Sequence, residues 1–315
     1  MPTATLSAPI LLVNDLLTGA EWGAAQTREL LALTADVKSH PERYATTLRG
    51  KTLAMIFEKP SLRTRLTFEA AMASLGGTAM FVDQTKDRLD ARETLSDIAH
   101  NLERWVDVIV LRTFAQETIE GMARYASIPV INALSDLEHP CQALADYFTL
   151  HERFGDLRSI TLAYVGDGNN VCHSLMVAGA RVGAHLRIAT PEGFEPDASI
   201  LAAARRDAAA TQGTIELFRA PEEAVSGAQA VYTDVWASMG QESEAEARAA
   251  IFAPYQVNAK LMSQAAPDVV FLHCLPAHRG SEVTDEVMES PRSIVFDQAE
   301  NRLHVQKAIL LMLLN

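Results

Sequence analysis

Cysteine is scarce in this 315-residue chain: Cys141, Cys172 and Cys274 are three, odd in number and far apart. That argues against a disulfide framework and fits a reducing compartment, so a cytoplasmic location is expected. No apolar run approaches the ~20 residues that span a bilayer. The apolar tail Ala308–Leu314 is too short and reads as the packed end of a helix. Met1–Asn14 lack the basic segment and apolar core of a secretory signal. Basic residues are in deficit, 27 against 40 acidic, giving a net charge of −13. Such a surface repels nucleic acid and anionic membrane, so neither is expected as a partner. Repeats, low-complexity tracts and long linkers are missing as well. What remains is globular in composition, 48% hydrophobic and 21% charged, with length enough for two domains.

Short apolar runs alternate with helical patterns through most of the chain. Strands are expected at 53–57, 79–82, 108–112, 129–132, 161–165, 186–189, 215–218, 230–233, 269–273 and 293–296. Helical periodicity lies between them, at 93–105, 141–154, 173–182, 197–211 and 300–314. This alternation predicts an α/β fold of two doubly wound domains, with parallel sheets flanked by helices and bridged by interdomain helices. The division is expected at His139-Pro140, a helix start. Residues 1–138, completed by the C-terminal helix 299–315, form one domain, and 139–298 form the other. The polar, acidic stretch 241–250 reads as a mobile surface loop.

Ligands of such sheets bind beyond the carboxyl ends of the strands. Six expected strand ends carry chemistry: Ser61–Arg65, Arg112-Thr113, His139-Pro140-Cys141-Gln142, Gly166–Asn170, Asp234 and His273-Cys274-Leu275-Pro276. The first is the most telling. After the strand ending at Phe57 the chain turns at Pro60 and sets out Ser61, Arg63, Thr64 and Arg65. It then enters a helix whose apolar face is Phe68, Met72 and Leu75. Free N–H groups and the dipole of a helix start favour an anion there, and guanidinium forks match phosphate oxygens. The plainer alternative is an N-capped helix with solvated arginines. Cations clustered in an acidic chain favour the anion site.

Four segments in order, Ser61-Leu62-Arg63-Thr64-Arg65, His139-Pro140-Cys141-Gln142, Asp234-x-x-x-Ser238-Met239-Gly240 and His273-Cys274-Leu275-Pro276, resemble the signatures of the carbamoyltransferases, and in combination those of the ornithine carbamoyltransferases. The likeness runs from about Asn14 through Ala299-Glu300-Asn301-Arg302. Aspartate enzymes differ at the Cys141 and Cys274 positions. The acetylornithine and putrescine enzymes lack the D-x-x-x-S-M-G element. The resemblance implies carbamoyl phosphate and L-ornithine as substrates, citrulline and phosphate as products, no cofactor and no metal. It also implies a homotrimer whose two domains close on the substrates; arginine biosynthesis is the commoner role.

Residue by residue, the resemblance places Ser61, Leu62, Arg63 and Thr64 on the phosphate, and Arg112 between phosphate and carbonyl oxygen. His139 donates to that oxygen, Gln142 and Leu275 hold the carbamoyl group, Pro140 and Cys141 belong to the same segment, and Arg302 is a last phosphate ligand. Asn170, Asp234, Ser238 and Met239 hold the ornithine head, and Cys274 lies beside the reacting amine. Arg63, Arg112, His139 and Cys274 form the expected catalytic set. A departure is Arg88, which stands where many relatives carry a glutamine reaching a neighbouring subunit's phosphate site. Lys59, His278 and Arg279 read as structural or cleft-lining.

Other readings compete. His139 alone would be a helix-start histidine, and Arg302 a solvated arginine on an amphipathic helix. Gly166–Asn170 could be a dinucleotide loop, but Asn169 and Asn170 break the G-x-G-x-x-G spacing. His273-Cys274 suggests a nucleophile or a metal site. Neighbours on an extended strand point to opposite sides, so the pair is not expected to work together. A dinucleotide-dependent oxidoreductase and a non-catalytic binding module are the rival functions. The first lacks its glycine fingerprint, and the second would be expected to have lost Arg112, His139 or Cys274.

Overall fold

A computed structural model describes residues 15–237 and 244–314. Among these residues nine strands form two parallel sheets. β1 (Thr52–Phe57), β2 (Thr78–Asp83), β3 (Val108–Arg112) and β4 (Val130–Leu134) make one, in the order β2-β1-β3-β4. β5 (Thr161–Val165), β6 (His185–Ala189), β7 (Thr214–Phe218), β8 (Ala230–Thr233) and β9 (Val270–His273) make the other, in the order β7-β6-β5-β8-β9. The central strands β1 and β3 are almost wholly buried, as strands covered by helices on both faces must be.

The helices are α1 (Ala24–Ser39), α2 (Leu62–Ser74), α3 (Leu95–Leu102), α4 (Gln116–Tyr125), α5 (Pro140–Phe154) and α6 (Asn170–Val182). They continue with α7 (Ala198–Thr211), α8 (Pro221–Val225), α9 (Ala245–Phe252), α10 (Ala259–Met262), α11 (Asp285–Met288) and α12 (Val295–Leu314). Among the described residues no helix is long and apolar enough to cross a membrane.

Each sheet reverses its strand order once, between β1 and β3 in the first and between β5 and β8 in the second. A crevice opens at such a reversal, because the connections leave in opposite directions. Ser61–Thr64 and Arg112 stand at the first crevice, and Gly166–Asn170 and Asp234 at the second. The β3–β4 register shifts between Leu111 and Arg112. An irregularity there re-aims the last residue of the strand.

The bridge expected at His139-Pro140 is α5, and its sides are all covered: every residue from Pro140 to Leu150 is buried. It packs on α6 of one lobe and on α12, which also lies against α1 and α2 of the other. One hydrophobic core therefore runs through both lobes, from Leu53 and Phe68 through Tyr147, Phe148 and Ile309 to Leu162 and Tyr232.

Three local expectations fail. Residues 293–296 form no strand, because only a bridge joins Ser293 to Phe271 and α12 has begun by Val295. Arg302 therefore lies two turns inside its helix and does not head it. Of residues 241–250, expected as a loop, 245–250 belong to α9 and 241–243 lie outside the described residues. Alanine and glutamate are both good helix formers, so a polar, acidic composition here does not prevent a helix.

Candidate active site

A cleft of about 750 Å³ separates the two sheets' carboxyl edges. Its first wall is cationic. Ser61 caps α2, its Oγ accepting from the Thr64 N–H at 3.3 Å, and Leu62, Arg63 and Thr64 fill the first turn. Arg302 reaches across from α12 and donates to Thr64 Oγ1 at 2.8 Å, which ties the last helix to the first crevice. Arg112 lines the same wall, 7% exposed, and burial pulls its guanidinium down to about 10. Lys59 lines it too, paired with Asp136 and lying 4.6 Å over the Phe114 ring. Four cations around one hollow in a chain of net charge −13 make a local sink for a small dianion.

His139 sits where the two walls meet. Its backbone N–H donates to Ser174 Oγ at 2.7 Å, and its Nδ1 has no partner among the described residues. Burial, then Arg302, Arg112 and Lys59, hold the imidazole well below its ordinary pKa, so it is neutral and keeps one N–H to donate.

The second wall is built around Asp234, 6% exposed at the end of β8. Its carboxylate accepts from Cys274 Sγ at 2.9 Å, from Asn169 Nδ2 at 2.8 Å and from the Val235 N–H at 2.8 Å. Among the described residues it makes no ion pair, so a buried carboxyl group is left to receive a cationic ligand. Asn169 also caps α6, its Oδ1 accepting from the Val171 and Cys172 N–H groups. Asn170 lines the cleft and donates to the Ser135 carbonyl at 2.6 Å. Arg248 of α9 closes this end, pairing with Asp167 at 2.8 Å and lying 5.0 Å over Phe194.

Cys274 donates its thiol proton to Asp234, and burial, reinforced by Asp234, pushes its pKa well above the ordinary value. It is a poor thiolate nucleophile. One expectation about this residue is corrected. Ligand atoms of Asp234, His273 and Cys274 lie within 4.8 Å of one another. Strand alternation does not separate His273 from Cys274, because β9 ends at His273 and Leu275 has already turned to φ +58. Both imidazole nitrogens are hydrogen-bonded elsewhere, to the Leu275 N–H and to Glu282.

Of the residues expected from sequence, Ser61, Leu62, Arg63, Thr64, Arg112, His139, Asn170, Asp234, Cys274, Leu275 and Arg302 line this one cleft. Pro140, Cys141 and Gln142 do not. They lie behind the wall in the buried face of α5, where Gln142 Nε2 donates to Asp146 Oδ1 at 2.7 Å. Arg65 turns away to pair with Glu69 and stack on Phe81. Arg88 lines a separate hollow of about 450 Å³ and pairs with Asp90. Ser238 and Met239 lie outside the described residues. Asn169 and Arg248 were not anticipated. Asn169 carried a legible signal, an asparagine just before an apolar helix; Arg248 carried none, since its partner is 81 residues away. The glycine at 168 has a packing reason, because a Cβ there would lie 2.3 Å from Pro196 N.

An anion cradle on one lobe faces a buried carboxylate on the other, across a cleft shared by two doubly wound sheets. That defines a two-substrate transferase which brings an anionic donor to a cationic acceptor. The chain belongs to the aspartate/ornithine carbamoyltransferase family: residues 14–152 match the family's carbamoyl-P binding domain and 158–313 its Asp/Orn binding domain. It is similar to the ornithine carbamoyltransferase of Pyrococcus horikoshii, 51% identical over 305 residues that cover 97% of this chain and 95% of that protein. The anabolic enzyme of Pyrococcus furiosus is 50% identical, covering 97% and 96%. Among solved structures, ornithine carbamoyltransferase from Pyrococcus furiosus superposes with a TM-score of 0.93 at 50% identity, over 97% of this chain and 98% of that one. The Thermus thermophilus enzyme gives 0.87 at 48%, over 96% and 100%.

Proposed function

We propose that this chain is an ornithine carbamoyltransferase, moving the carbamoyl group of carbamoyl phosphate to the δ-amine of L-ornithine to give L-citrulline and phosphate. The observation that carries the reading is the single cleft in which Ser61–Thr64, Arg112 and Arg302 face Asp234 and Cys274. The phosphate takes the α2 start, Arg112 and Arg302. The α-ammonium of ornithine takes Asp234 and Asn170, with Ser238 and Met239 on the same head group.

The neutral δ-amine attacks the carbonyl carbon. Charge gathers on the carbonyl oxygen, between His139 and Arg112. The C–O bond to phosphate then breaks, its electron pair leaves with the phosphate in the arginine cradle, and the proton lost by the nitrogen passes to that departing phosphate. Each oxyanion donor of this kind is worth about 10²–10³ in rate. Positioning and electrostatics suffice for such a transfer, so the chemistry asks for neither cofactor nor covalent intermediate. Gln142 acts from behind the wall, its amide orientation fixed by Asp146. Pro140 and Cys141 set the bend that aims His139, and Leu275 supplies backbone to the carbamoyl group.

The domain division falls at 138/139 with the last helix completing the first lobe, a reading supported by the packing of α12 on α1, α2 and α5. The working unit is a homotrimer in the cytoplasm, serving arginine biosynthesis, and Arg88 reaches the phosphate site of a neighbouring subunit. A citrulline assay offering ornithine, acetylornithine, putrescine and aspartate tests the assignment. Turnover with ornithine alone is expected; turnover only with another acceptor overturns it. Arg88→Ala is expected to raise the KM for carbamoyl phosphate, and unchanged saturation removes the intersubunit role.

A further inference from the structure

We propose that the buried pair His273–Glu282 is a positioning device for the Cys274–Leu275 turn, acting on the reaction through the backbone without touching substrate. The proposal rests on the carbamoyltransferase reading of the cleft and names residues that reading leaves without a role.

His273 is 1% exposed and Glu282 is fully buried. The Leu275 N–H donates to His273 Nδ1 at 2.9 Å, so Nδ1 must present its lone pair and the ring proton must sit on Nε2. Nε2 faces Glu282 Oε1 at 3.2 Å. The same oxygen accepts the His278 N–H, and the Glu282 backbone is pinned by the Val257 N–H at 2.9 Å. The carboxylate is thus a fixed acceptor that sets the tautomer, and the tautomer sets which backbone N–H the ring can receive.

That N–H belongs to a residue in need of holding. Leu275 has φ +58, a region where Cβ crowds the following carbonyl oxygen and that L-residues seldom adopt. Such a conformation persists only where its surroundings over-determine it. Cys274 and Leu275 both line the cleft, and the Cys274 thiol donates to Asp234. A relaxed turn would therefore move the thiol, the Leu275 backbone and the carboxylate partner together, while the Ser61–Thr64 cradle stayed in place.

Two substitutions separate the two nitrogens. His273→Asn places an amide oxygen near the Nδ1 position and keeps the Leu275 link while losing Glu282. His273→Gln reaches the Nε2 position, keeps a partner for Glu282 and loses the Leu275 link. Both disturb the same buried spot, so similar losses of Tm are expected. We expect His273→Gln to lose about a hundredfold in kcat/KM for ornithine, the scale of a misplacement of about 1 Å. His273→Asn should stay close to the parent, and product inhibition by inorganic phosphate should be unchanged in both. Activity that follows Tm equally in the two variants overturns the proposal. Should neither fold, Glu282 decides. Glu282→Gln keeps an acceptor and is expected to retain parental kinetics, whereas Glu282→Met frees the tautomer and should lose ornithine turnover selectively. Parental turnover in Glu282→Met sinks the idea. Parent protein that makes no citrulline refutes the functional reading instead.

Discussion

His139 and Asp146 show how burial sets the chemistry of single residues here. Burial and the cations Arg302, Arg112 and Lys59 keep His139 neutral, with one ring N–H left to donate. His139→Ala is expected to lower kcat about 10²–10³-fold with its circular dichroism unchanged. Parent and variant should share the same pH limbs, since His139 does not titrate in the working range. Asp146 is fully buried, and burial raises its carboxyl to about 7. In the unfolded chain the group titrates near 3.8. Between those values the folded state holds a proton that the unfolded state releases. This contribution is therefore complete below pH 3.8 and is lost as pH rises through about 7. Tm measured from pH 5 to 8 should fall less steeply in Asp146→Asn than in the parent; equal slopes would remove Asp146 from the account. The sequence announced His139 through its proline-capped motif. It did not announce Asp146, whose partners Gln142 and Gln298 come from α5 and from a helix 152 residues away.

At the scale of elements, helix starts do most of the positioning. α2 begins at the Ser61 cap and aims its first turn into the cleft. α6 begins at Asn169, one side chain that both caps the helix and donates to Asp234. Asn169→Ala is expected to cost about 1 kcal/mol of stability for the cap. It should also raise the KM for ornithine while leaving phosphate inhibition alone. A rise in both constants would mean a general loss of shape instead of a local one. The strand pattern was legible because β1, β3 and β5 are short apolar runs bounded by turns. Residues 293–296 show the limit, since Ser-Ile-Val-Phe suits a strand locally. No strand forms beside β9 there beyond the Ser293–Phe271 bridge, and packing of α12 on α5 decides for helix.

The whole molecule is two lobes sharing a core through α5 and α12, with the cleft between them. A ligand pair that touches both walls links the lobes. Citrulline and phosphate together should therefore raise Tm by more than the sum of their separate effects, by mass action on a shared closed state. Strict additivity would argue for two independent half-sites.

By itself the sequence determined the α/β class, the two sheets and eleven of the residues that line the cleft, from Ser61 to Arg302. These follow from local periodicity and from polar groups set at strand ends. It also determined the net negative charge against which a cationic pocket must stand out. Only the tertiary structure decided that Cys274 donates to Asp234, that His273 turns to Leu275 and Glu282, that Arg302 reaches Thr64 and that Gln142 lies behind the wall. Each of those facts is a direction in space set by packing between elements distant in the chain, which no local pattern of residues encodes.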